Sequence, residues 1–96
     1  MVPGDDILYP NPWDGSQPLI FTHTVGLNTN RVWIKIFTTN FRKIYDEEGP
    51  TVSGQHSFVL DPNKMKDTAN GLYYLAVVEI SGGRQKIKIL KFIVLR

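Results

Sequence analysis

Side chains able to do chemistry are few and scattered in this sequence. The two imidazoles, His23 and His56, have no cysteine to share a metal with and no clustered carboxylate at ligand spacing, which argues against zinc or copper. Each precedes a hydroxyl residue, Thr24 or Ser57, but neighbours along a strand point to opposite faces, so neither pair begins a catalytic triad. The acidic run Asp46-Glu47-Glu48 offers oxygens to calcium, yet it lacks the alternating Asp/Asn ligands and the glycine of a dedicated calcium loop and reads as a solvated acidic loop. Gly82-Gly83 lies between strand patterns with no helix after it, so it is a hairpin turn and not a phosphate cradle. These residues predict no catalytic site, no metal and no cofactor, and a chain that is not an enzyme.

Aromatic residues carry the remaining signal. Trp33 and Phe37 share one side of an alternating strand whose Val32, Ile34 and Ile36 turn the other way, and Tyr74 projects in the same sense from a later strand. With Lys35, Lys86 and Lys88 drawn over the rings, these residues form a candidate partner surface, since Trp and Tyr are common interface anchors. Cation–π packing that serves only the sheet is the competing use.

The elements that must position this patch are short and β-rich. Strands are expected at Ile7 to Tyr9, Leu19 to Val25, Arg31 to Phe37, Arg42 to Tyr45, Gln55 to Leu60, Leu72 to Val78 and Gln85 to Leu95, with Gly, Pro and Asn between them. One helical turn is allowed near Lys64 to Asp67. The last two strands read as one long hairpin about Gly82-Gly83. In the final strand Ile87 and Ile89 are assigned to the core, and a bulge at Leu90-Lys91 is expected to swing Phe92 and Val94 inward and spare Lys91 from burial. The regular spacing predicts an all-β, immunoglobulin-like antiparallel β-sandwich of about seven strands, with Tyr73 as a structural tyrosine corner bonded back to backbone near Lys66 to Thr68.

Ninety-six residues make one domain, read as a leader or linker over 1–6 and a single sandwich over 7–96. A formal charge of +2 is too small for a nucleic-acid footprint, and no apolar run approaches the ~18 residues of a membrane span. Met1 to Gly4 has neither the basic nor the apolar region of a signal peptide, so any export signal of a parent protein is expected upstream.

Four segments line up in order: Tyr9-Pro10-Asn11-Pro12-Trp13; Val32 to Phe37; Gly54-Gln55-His56-Ser57-Phe58; and Ala69 to Tyr74 with a terminal Lys91 to Arg96. In this order the chain resembles the immunoglobulin-like module of the bacterial flagellar hook-capping protein family, relatives of which recur at the C-termini of secreted enzymes and as type IX sorting domains. The resemblance implies a non-catalytic interaction, anchoring or assembly module of an extracellular or cell-surface protein. Its partner would be the preceding domain of the parent protein or a component of the surface or secretion machinery. A sorting domain and a carbohydrate-binding sandwich are the alternatives. Phe41 stands where such modules carry glycine, which predicts a reshaped turn before Arg42, and Leu60-Asp61 replaces their Trp-Asp.

Overall fold

Alternating apolar residues of β-branched and aromatic type dominate the chain, and in the computed structural model, which describes residues 6–96, they fold almost wholly into strands. These are β1 (Ile7–Tyr9), β2 (Ile20–Val25), β3 (Arg31–Thr38), β4 (Lys43–Glu48), β5 (Gly54–Val59), β6 (Gly71–Ser81) and β7 (Arg84–Val94). A short turn of helix, α1 (Pro62–Met65), follows β5; Asp61 caps it by accepting from the Asn63 amide. Of the leader or linker assigned to residues 1–6, all but Asp6 lies outside the described residues.

Two antiparallel sheets form, ordered β1-β2-β5 and β4-β3-β6-β7, and they pack face to face as an all-β sandwich. In a constant-type immunoglobulin domain the fourth strand stays with the first sheet; here β4 pairs with β3 instead. The core lies between the sheets. Leu19, Phe21 and Val25 enter from β2 and its approach, Val32, Ile34 and Ile36 from β3, Tyr73, Leu75 and Val77 from β6, and Phe92 and Val94 from β7. Phe21 meets Phe58 edge to face, and Tyr73 stacks on Phe92 with centroids 5.6 Å apart.

The β6–β7 hairpin closes between Ser81 and Arg84, with Gly82 and Gly83 at φ 56° and 81°. Two successive positive φ angles are what a tight hairpin turn requires and what glycine supplies without a Cβ penalty. Tyr73 donates its phenol to the Ala69 carbonyl at 2.7 Å, one residue beyond the expected stretch.

Two expectations about the strands need correction. β7 pairs with β6 without interruption from Arg84 to Val94, so there is no bulge at Leu90-Lys91. Unbroken alternation puts Leu90, Phe92 and Val94 on the core side together with Lys86 and Lys88, and turns Ile87 and Ile89 outward at 53% and 63% exposure. The lysines are tolerated on the core side because both side chains stay exposed and their heads reach water. The register shift of this sheet lies instead between β3 and β4, at Ile36/Phe37. The second correction concerns Asp46-Glu47-Glu48, which is part of β4 and not a loop. Ladder pairing with β3 holds it extended, and each carboxylate has a separate partner: Lys43 for Asp46, the Tyr45 phenol for Glu47 and Arg31 for Glu48.

Candidate functional site

The side of the four-stranded sheet that faces away from the core carries a continuous apolar surface, built row by row by the ladder. Directly opposed residues on neighbouring strands point the same way. One row runs Trp33, Val78, Ile87; the next Lys35, Ala76, Ile89; the third Phe37, Tyr74, Lys91. Ala76 and Val78 form the floor and are almost covered by their neighbours. Ile87 and Ile89 stand as one wall, and Phe37, Phe41 and Tyr74 as the other, around a shallow hollow of about 520 Å³.

Trp33, Lys35, Phe37 and Tyr74 of the expected surface do share this face, but its composition differs from the sequence reading in three ways. Lys86 and Lys88 lie opposite Glu79 and Val77 and therefore belong to the core side of β7. Ile87 and Ile89 take their place, so the wall facing the aromatic rings is aliphatic rather than cationic. Trp33 is removed from the hollow: the Arg31 guanidinium lies 4.1 Å and the Lys35 ammonium 5.6 Å from its ring centre, the arrangement of a ring held by cation–π contacts.

Phe41 is the residue that sequence reasoning missed. It sits in the β3–β4 turn at φ 62°, a left-handed conformation unusual for a bulky side chain, and its amide closes the turn onto the Thr38 carbonyl at 2.9 Å. The turn thus keeps a glycine-like backbone while carrying a phenyl ring. That ring is 76% exposed and stacks on Tyr74, with centroids 6.1 Å apart and planes 10° from parallel. The available signal was the replacement of an expected glycine by phenylalanine.

At the hairpin end of the sandwich a second cluster joins the two sheets. His23 of β2 is 2% exposed and its ring stacks on Phe21. Nε2 lies 2.9 Å from the Glu79 carboxylate of β6, and Nδ1 lies 2.8 Å from the Asp6 carboxylate, out of line for a full hydrogen bond. The Lys88 ammonium is 3.9 Å from the same Asp6 oxygen. Burial alone would lower the imidazole pKa, but the carboxylates of Asp6 and Glu79 outweigh it and hold it above the ordinary histidine value. The carboxylates approach opposite ring nitrogens, so no single cation can meet all three groups through this ring. His56, the register partner of His23, is half-buried and bonds the Val52 carbonyl through Nε2 at 2.6 Å.

No family model matches the chain, and the search of curated proteins finds no match either.

Proposed function

We propose that this domain is a non-catalytic interaction module that docks a protein neighbour on the outer face of its four-stranded sheet. The observation that carries this reading is Phe41: a bulky residue is held at positive φ, at a cost of ~1–2 kcal/mol, to put an exposed ring beside Tyr74. Strain kept at an exposed position points to use. The surrounding aliphatic wall of Ile87 and Ile89 makes the patch contiguous, as partner surfaces are. The resemblance to the hook-capping module supports placing the domain at the C-terminus of an exported bacterial protein, where it anchors or assembles; a type IX sorting role is the variant of that reading. The near-parallel Phe41 and Tyr74 rings also suit a sugar platform. The walls supply few hydrogen-bonding groups beside them, however, and orientation in a binding pocket depends on such groups, so a protein partner fits better.

Phe41→Gly separates use from packing. Glycine takes the same φ without strain, so the melting temperature should hold or rise while attachment of the full-length gene product to its surface or neighbouring domain weakens by ~2 kcal/mol, as for loss of an anchor. A folded variant that attaches as well as wild type would sink the docking reading. Protection of Phe41 and Tyr74 by a soluble oligosaccharide and not by the parent's other domains would replace it with the sugar reading.

A further inference from the structure

The free edge of β7 has a polarity of its own. In an antiparallel ladder alternate residues send their backbone N–H and C=O to opposite sides. On β7 the outward set is the odd-numbered one: the Ile93 amide donates to Asn11 Oδ1 at 3.0 Å, the Ile93 carbonyl accepts from Trp13 at 2.8 Å, and the Lys91 carbonyl accepts from Asn11 Nδ2 at 3.3 Å. Residues Asn11 to Trp13 therefore cover the C-terminal part of this edge, with Trp13 bridged in parallel to Val94. Among the described residues nothing covers the rest, so Gln85, Ile87 and Ile89 present unpaired backbone groups beside exposed apolar side chains.

The side chains flanking that edge are all of one charge. From Arg84 to Arg96 the chain has five basic residues and no acidic one. Arg84, Lys86 and Lys88 project from the side of β7 opposite to Ile87 and Ile89. Among the described residues Arg84 and Lys86 pair with no carboxylate, and Lys88 has only Asp6, at 3.9 Å. Such lysines repel a second copy of the same strand. Self-pairing centred on Lys88 would set Lys88 against itself, centring on Ile87 would set Lys86 against Lys88, and centring on Ile89 would need the stretch that Asn11 and Trp13 already occupy.

We infer that the Gln85–Ile89 edge accepts an extended segment of another protein in which acidic and apolar residues alternate. Its backbone adds a fifth strand to the sheet, its acidic side chains meet Arg84, Lys86 and Lys88, and its apolar side chains extend the outer face beyond Ile87 and Ile89. Strand addition takes affinity from main-chain bonds and specificity from the alternating side chains. The inference deepens the docking reading and rests on it, because Ile87 and Ile89 serve both.

A soluble peptide alternating Glu with Val is the probe, with a peptide alternating Lys with Val as the control. Amide exchange read residue by residue should slow at Gln85, Ile87 and Ile89 with the Glu peptide alone, and binding should weaken as salt is raised. The double variant Arg84→Glu/Lys86→Glu, both side chains being exposed, should lose roughly tenfold in affinity for the Glu peptide and gain for the Lys peptide. Equal binding of both peptides, unchanged exchange at the three amides, or self-association of the free domain through them would each overturn the inference. Binding that perturbs Phe41 and Tyr74 while the edge amides exchange freely would keep the docking face and reject the edge.

Discussion

His23 shows how one buried side chain ties local chemistry to stability. Its pKa is raised in the folded protein, so the stabilising interaction with Asp6 and Glu79 is fully present below the ordinary histidine value of 6.5 and is lost as pH rises through the higher folded value. Urea midpoints measured across that window should fall with rising pH. His23→Gln, which cannot take up a proton, should flatten the fall over the same range; an equally steep slope in the variant would assign the effect to another group. Tyr45 belongs to the same scale. Burial, and then the Glu47 carboxylate that accepts its hydrogen bond, push the phenol well above its ordinary range, while the Asp61 amide donates to the same oxygen at 2.9 Å. That bond fastens β4 to the cap of α1.

At the scale of elements, β7 is the informative case. Its sequence alternates two apolar sets, Ile87-Ile89-Ile93 and Leu90-Phe92-Val94, and period alone does not say which set faces inward. Pairing with β6 decides it: Tyr73 opposes Phe92 and Leu75 opposes Leu90, so the second set faces the core, with Phe92 and Val94 buried and Leu90 packed at its margin. Phe92→Ala should then cost ~3–5 kcal/mol through transfer and cavity terms, whereas Ile89→Ala, on the exposed side, should stay within ~0.5 kcal/mol of wild type. Denaturant midpoints of the two variants check the phase, and equal losses would contradict the register. The C-terminal end of the element is pinned as well. Arg96 lies over the Trp13 ring and donates to the Met65 and Thr68 carbonyls, and a Cβ at Gly15 would come within 2.7 Å of its guanidinium. Gly15 also has φ 84°, so Gly15→Ala should lower the melting temperature both by backbone strain and by displacing Arg96.

For the whole molecule, the core between the sheets carries the stability. Ile34 is fully buried at its centre, and Ile34→Ala should cost ~2–5 kcal/mol, a large share of what holds a domain of this size together. Ile20→Ala, at a half-buried position on the other phase of β2, should cost far less. The sandwich and the approximate position of all seven strands were legible in the chain, because period-two alternation, β-branched residues and Gly/Pro/Asn punctuation each report local geometry. Trp33, Phe37 and Tyr74 could likewise be assigned to one side of their strands, since alternation fixes relative direction within a strand. Tertiary structure alone decided what meets across strands and sheets. It set the phase of β7, and with it the exchange of Lys86 and Lys88 for Ile87 and Ile89 on the outer face; it drew Asp46-Glu47-Glu48 into β4; and it brought Asp6 and His23 together with Glu79 and Lys88 of the β6–β7 hairpin. The physical reason is common to all of these. A strand's side chains alternate whatever its neighbours are, but which set is buried, and which charges lie within a few ångströms, depends on ladder register and sheet packing, and both are properties of pairs of elements.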